Sequence, residues 1–342
     1  MSTCFRSGAS SPNSIRVTSP PMTISPSITS PERRPLRLAG LLPWLFAAVV
    51  VGYAMVVGGY AATVVSFALI YAVFVTGLNL FMGFAAQVSF GQNAFAAIGG
   101  YLSAVLTASH GWAPVPAMLL GIVAAVLVAA IVGIPTLRLK GHYLAMGTLA
   151  IGLITYEITV EWQSVTQGYM GISGIPPFGI GPYEVTSDRG QLILLSLVVA
   201  ACAFAAARIR RSRFGRALSA VAGSEEAATA LGIEVARYKL LAFLLSAGFA
   251  ALAGSLFVHV VGFVSPEVFG LHMVIVTFTM LYVGGIGTVA GPLVGALIVS
   301  LLPETFRAFK DYQDLAYGAV LIVLLIYAPR GLASLFSPRG RS

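Results

Sequence analysis

Charged side chains are scarce in this 342-residue chain, making up 9% of it. Soluble domains average about 25% charged residues, so a soluble enzyme, a disordered chain and a nucleic-acid binder are excluded. Lysine is rarer still: Lys140, Lys239 and Lys310 are the whole set, and none follows a glycine. A phosphate-cradling P-loop needs Gly-Lys-Ser/Thr, so the chain does not hydrolyse ATP by that route. Cys4 and Cys202 lie in a tail and in an apolar run, and no disulfide framework or thiol chemistry is expected from them. His110, His142, His259 and His272 stand far apart, with no HExxH or other ligand spacing, so no metal site is expected. Gly-x-Ser-x-Gly is missing as well. Nothing calls for a cofactor, and no catalytic constellation is in sight.

Apolar residues, by contrast, fill 58% of the chain, with a mean hydropathy of +0.90. That composition belongs to a polytopic helical membrane protein. A β-barrel is excluded, because barrel strands alternate apolar and polar over about 10 residues. Here a run such as Ala117 to Val132 is apolar on every face. The spans read as roughly 38–57, 60–82, 92–108, 115–134, 142–162, 191–207, 240–264, 272–302 and 315–329. Most approach the ~20 residues a crossing helix needs, so the expected fold is all-α with about 8–10 transmembrane helices. Two spans carry breaks. One is Gly83 to Asn93; the other is Gly284-Gly285-Ile286-Gly287-Thr288 followed by Gly291-Pro292. Broken helices survive at membrane depth only where protein or a water-filled cavity covers the freed backbone.

Nineteen of the first 35 residues are Ser, Thr or Pro, a composition that cannot bury a core. Residues 1–37 are therefore expected to be a disordered cytoplasmic tail rather than a signal peptide, and Met22 is a second candidate start within it. The body is expected at 38–335, with a short tail at 336–342.

The net charge of +8 and pI near 9.7 fit Lys/Arg held on the cytoplasmic side better than a polyanion partner. Five basic residues lie up to Arg37, two in 135–141, seven in 208–239 and three at the C-terminus, leaving Arg189, Arg307 and Lys310 outside. This split places the N-terminus in the cytoplasm and favours 272–302 as a re-entrant hairpin, while a single crossing there would divide the basic residues 16 to 4.

The one long polar segment, 208–239, carries the clearest local signals. Ser224 is an N-cap candidate, Glu225 and Glu226 occupy the first turn, where the helix dipole favours acids, and Gly232 stands as the stop. The result is a two-turn helix over 225–231 with a small body, Ala227, Ala228, Thr229, Ala230 and Leu231. Such a helix fits a cleft of another protein, although an ordinary amphipathic connector accounts for these features equally well.

Glu226-Ala227-Ala228, three residues, then Gly232 resembles the EAA-x3-Gly loop of ABC importer permeases. The flanking Arg213-Phe214-Gly215-Arg216-Ala217-Leu218 and Lys239-Leu240-Leu241-Ala242-Phe243 resemble the LivM-type branched-chain amino acid permeases. So do Gln87-Val88-Ser89-Phe90-Gly91-Gln92, Leu139-Lys140-Gly141-His142-Tyr143, Thr166-Gln167-Gly168-Tyr169-Met170-Gly171, Gly284-Gly285-Ile286-Gly287-Thr288 and Ala328-Pro329-Arg330-Gly331-Leu332. Gln92 stands where the family commonly has His, and no Leu-Pro follows the EAA segment. Each motif alone is weak, but their shared order over about residues 40 to 335 is strong. The resemblance implies a permease subunit in the bacterial inner membrane, paired with a LivH-like second permease. It further implies two ABC ATPase subunits and a periplasmic substrate-binding protein as partners, with Glu225, Glu226, Ala227, Ala228 and Gly232 as the ATPase-coupling residues.

Three groups remain as candidates. Gln87, Ser89, Gln92 and Asn93 offer neutral donors and acceptors at a break, suited to a substrate path or to interhelical hydrogen bonds. Glu157, which shares a face with Glu161, could meet a substrate ammonium, but an interfacial snorkelling pair is the simpler reading. Gly287, Gly291 and Gly295 repeat at four-residue spacing, as do Ser246, Ala250 and Gly254, and both sets read as helix-packing faces. Urea or short amides remain alternative substrates, and a secondary transporter or channel is the more distant alternative.

Overall fold

In the computed structural model, the described residues are 47–305 without 50, 57, 181 and 182, together with 318. The expected tails 1–37 and 336–342 and the expected span 315–329 lie outside them, apart from residue 318. Helical residues 47–49 and 51–56 come first. Eleven helices follow: α1 Gly59–Asn79, α2 Gln92–Ala108, α3 Pro114–Thr136, α4 His142–Glu161, α5 Gln163–Thr166, α6 Asp188–Arg211, α7 Arg213–Gly223, α8 Glu225–Ala230, α9 Val235–Val261, α10 Leu271–Gly284 and α11 Gly291–Thr305. A π turn, Leu80–Phe84, extends α1. The strands are two-residue pieces: β1 Ile172–Ser173 pairs antiparallel with β4 Phe263–Val264, and β2 Gly179–Ile180 with β3 Tyr183–Glu184. The molecule is an all-α, multi-pass membrane protein, as its composition requires.

Among the described residues, five helices are long and apolar enough to cross a bilayer: α1 with its π turn, α3, α4, α6 and α9. Their ends follow from local chemistry. Pro114 opens α3 at a position where a missing N–H costs nothing. Ser187 caps α6 by accepting the Gly190 N–H at 3.2 Å, with Asp188 in the first turn and Arg208, Arg210 and Arg211 in the last. Both charge placements complement the helix dipole.

The core is built where backbones meet closely. α9 packs on α1, α2 and α3. Gly254 of α9 lies against the Ala96 carbonyl of α2, Gly99 against Ala251, and Gly121 of α3 against Gly99. Ser255 Oγ donates to the Gly99 carbonyl at 3.0 Å in the same seam. Lipid is as apolar as leucine, so such helices associate through packing and hydrogen bonds, which small residues permit. The Ser246–Ala250–Gly254 face is thus a packing face, with all three residues buried.

The 272–302 run folds back on itself. α10 has 14 residues, about 21 Å at ~1.5 Å per residue, too short for a full crossing. Gly284 meets Gly291 and Gly295 meets Met280, so α10 and α11 form an antiparallel hairpin. Gly291 and Gly295 make that seam. Gly287 does not share their face: it sits in the connecting loop at φ +75°, because the chain must reverse there.

Candidate functional site

Helix α8 is built as its sequence suggests. Ser224 accepts the Ala227 N–H at 3.2 Å. At the far end, Gly232 N–H donates to the Thr229 carbonyl at 2.9 Å and Ile233 N–H to Ala228 at 3.0 Å. That pair of bonds is a Schellman stop, which needs a left-handed residue between them. Gly232 supplies it at φ +79°, and a Cβ there would touch nothing within 4 Å. The helix ends at Ala230, one residue before the expected limit.

Its two faces differ. Ala228 is buried against the body, while Glu226, Ala227, Thr229, Ala230 and Leu231 are exposed, Leu231 at 78%. Glu225 does not join this outer face. Its carboxylate pairs with Lys239 Nζ of α9 and accepts Gln87 Nε2 at 3.3 Å. Lys239 is only 3% exposed, and a buried cation needs such a partner.

Gln87 accordingly stands apart from the other residues of its break. It faces a cavity of about 350 Å³ shared with Ala86, Val88, Gly141, Leu144 and the 221–225 segment. The 84–91, 137–141 and 208–239 segments therefore gather at one end of the bundle. The latter two bring nine of the chain's basic residues to it.

Ser89, Gln92 and Asn93 are brought together deeper in. With Phe74, Leu78, Phe90, Val274, Thr277 and Phe278 they line a cavity of about 10 Å³, room for barely one water. Thr148 Oγ1 accepts the Phe90 N–H at 3.0 Å, and Gly152 lies against the Asn93 amide. Gly152 is ten residues into α4, so at ~1.5 Å per residue the cavity sits about 15 Å along that helix, near its middle. The Asn93 amide is fixed by donating to the Phe269 carbonyl at 2.8 Å. Ser89 Oγ, both polar atoms of Gln92 and Asn93 Oδ1 have no partner, although these residues are 1–3% exposed. Leaving buried polar atoms unpaired is costly, and here four of them gather around one small cavity.

Glu157 is not part of this cavity. It stands exposed on α4, as does Glu161. At the opposite end of α9, His259 is buried, bonded to Ser103 Oγ at 2.8 Å and to the Pro176 carbonyl at 2.9 Å, a packing role.

Sequence reasoning missed three features. α7 is an amphipathic helix, capped by Ser212 and burying Gly215, Leu218 and Val221; that three-residue spacing was available as a signal. Lys239 counted only as one more loop cation. Asn79, alone in an apolar run, clamps the hairpin loop by accepting Gly287 N–H and donating to the Thr288 carbonyl, both at 2.8 Å.

A multi-pass helical bundle with a polar cavity behind a helix break, and a small capped helix presented at its basic end, has the build of a membrane permease. Residues 60–328 match the family described as branched-chain amino acid transport system / permease component, and the chain belongs to that family. It is 31% identical to the high-affinity branched-chain amino acid transport system permease protein LivM of Salmonella typhimurium, over 95% of this chain and 81% of the relative. The Escherichia coli LivM is 30% identical with the same coverage. The Escherichia coli LivH permease protein is 27% identical over 77% of this chain and 90% of its own. No solved structure gives a significant match.

Proposed function

We propose that this chain is the LivM-type half of an ABC importer that carries branched-chain amino acids into the cytoplasm. The observation that carries this reading is the 31% identity to LivM across 95% of the chain. The partners are a LivH-like second permease, two ABC ATPases and a periplasmic binding protein. ATP hydrolysis belongs to those ATPases, and the chain itself is not an enzyme.

The geometry supports specific roles. Glu226, Ala227 and Gly232, with exposed Leu231, present a small apolar knob with an acidic lip to an ATPase cleft, while Ala228 and Glu225 hold the knob to the permease. Ser89, Gln92 and Asn93 offer both donors and acceptors beside Phe74, Leu78, Val274 and Phe278. At about 10 Å³ the cavity is closed to an amino acid, and its lining suits a small zwitterion with an apolar side chain once the path opens. The basic residues at the α8 end favour a cytoplasmic position for it, and the reading puts the N-terminus on the same side, in the inner membrane of a bacterium. About a third or less of α3, α4 and α6 is buried, leaving apolar surface for lipid and the second permease. Glu157 stands on this exposed surface of α4, where a second permease could bring it to the path. The boundaries 1–37, 38–335 and 336–342 stand as the proposed tail, permease domain and C-terminal tail.

The test is uptake of labelled leucine, isoleucine and valine by cells lacking their own systems, with the chain expressed beside its partners. Uptake is expected only with the full set, and Gln92→Leu should raise KM more than it lowers protein level. Uptake of urea or acetamide in place of these amino acids would overturn the substrate; uptake without ATPases would overturn the class.

A further inference from the structure

Three observations converge on the five residues from Ala86 to Phe90. They form the partition between two cavities: Ala86, Gln87 and Val88 line the larger one at the basic end, Ser89 and Phe90 the small polar one behind it. The segment is also irregular, following the Leu80–Phe84 π turn and holding Ala86 at φ +51°, a left-handed conformation for a residue with a Cβ. Such strain persists only where the surroundings hold it. Finally, Gln87 ties the partition to α8 through Glu225, which is itself held by buried Lys239 of α9.

We propose that the Gln87–Glu225 hydrogen bond, anchored by Lys239, is a latch that keeps the 86–90 partition closed, and that displacement of α8 releases it. Lys239 cannot be left without a counter-charge, so Glu225 stays with α9 when α8 is at rest. The Gln87 contact, at 3.3 Å, is at the long end for an N–H···O bond, and it is the weaker member of the set. An outward pull on α8 therefore gives way first at Gln87. Once Gln87 is free of Glu225, the segment around Ala86 keeps only long local bonds, Gln87 Nε2 to the Ala85 carbonyl and Gln87 N–H to the Phe81 carbonyl, both at 3.3 Å, and the partition can relax to join the two cavities. Gln87 is a positioning residue: it lies outside the small cavity and acts on the cargo route through its own backbone. This rests on the permease reading, but the latch can be measured without transport.

The experiment places a cysteine at the partition, Ser89→Cys, in the full chain assembled with its partners in inside-out vesicles, without ATP. A membrane-impermeant maleimide is added and labelling is followed peptide by peptide, with buried native Cys202 as the internal reporter of general loosening. Labelling at 89 should be slow with Gln87 in place. Gln87→Leu should speed it about tenfold or more, as loss of one hydrogen bond to a charged group allows. The paired change Glu225→Leu with Lys239→Met, which strands no charge, should speed it as much, and adding Gln87→Leu should give no further rise. Glu234→Leu, in an exposed pair with Arg237, should leave the rate alone. Gln87→Met, equal in length, serves where Gln87→Leu fails to reach the membrane. Unchanged labelling in the Gln87 variants, additive effects, or a matching rise at Cys202 would each overturn the latch. Latch-like labelling without any uptake would remove the permease reading alone; uptake with unchanged labelling would remove the latch alone.

Discussion

Asn79 on α1 holds Gly287 in the α10–α11 loop with its side-chain oxygen, and holds the next residue's carbonyl with its side-chain nitrogen. One amide thus satisfies two backbone groups that the broken helix leaves free. A helix break inside a membrane protein is stable only if such partners exist, and here the partner comes from a residue more than 200 positions away in sequence.

Asn79→Leu should therefore loosen the hairpin rather than the bundle. These two backbone groups are half-buried, so leaving them unpaired costs at most about 1–3 kcal/mol each. Thermal unfolding of the detergent-solubilised protein should shift down, and Asn79→Asp, which keeps the acceptor for Gly287, should lose less. Equal melting of Asn79→Leu and the parent would show that water replaces the amide.

Gly254→Leu tests the α2–α9 seam. A Cβ added at Gly254 would run into the Ala96 carbonyl, with backbone and not a pliant side chain in the way. Forcing bulk into a packed seam typically costs about 1–3 kcal/mol, and a backbone clash puts this variant at or above that range. Membrane-inserted protein that aggregates on extraction is the expected result. Gly223→Leu, where a Cβ would meet nothing within 4 Å, should extract normally.

His259→Phe should free one end of the bundle. The imidazole joins Ser103 of α2 and the Pro176 carbonyl of the 172–180 segment, and phenylalanine fills the space without bonding either. Loss of both bonds should cost about 1–3 kcal/mol. Limited proteolysis should then cut between 172 and 186 faster, with unchanged cleavage at the α8 end. A cysteine at exposed Thr186 should label from outside the cell and one at exposed Ala222 from inside; the reverse pattern would invert the orientation.

Much of this was written locally. Apolar runs place the spans, the Gly83–Asn93 break is audible in its small and polar residues, and Ser224 and Gly232 bracket α8 because capping acts within a few residues. The rest depends on tertiary partners. Gln87 and Ser89 are two residues apart, yet they face different cavities, since the irregular backbone around Ala86 turns one toward Glu225. Glu225 and Glu226 are neighbours with opposite fates, because only the first reaches Lys239. Gly287 shares a four-residue spacing with Gly291 and Gly295, but spacing defines a helical face only if the intervening chain is helical. The Asn79 clamp could be suspected from a lone amide in an apolar run, but its partner could not.

Gly232 gives the sharpest test of how α8 works, because its side of the helix is empty. A Cβ at 232 would meet no atom within 4 Å, so any effect of substitution comes from the backbone, which must hold φ +79° for the Schellman stop to close. An L-residue in that conformation costs about 1–2 kcal/mol, with asparagine the most tolerant and β-branched residues the least. Activity should therefore fall in the order Gly232→Asn, Gly232→Ala, Gly232→Val. Glycine-to-valine should lose uptake and stimulated ATP hydrolysis together while the complex still assembles and still binds the substrate-binding protein. No α8 residue lines the cavity proposed for substrate, so KM for the residual uptake should stay near the parent value while the maximal rate drops. Full coupled transport in Gly232→Val at normal membrane levels would place the ATPase contact somewhere other than α8. A rank order following side-chain volume, with asparagine as harmful as valine, would mean that the space around Gly232 is filled by a partner, and that packing there governs the stroke rather than backbone conformation.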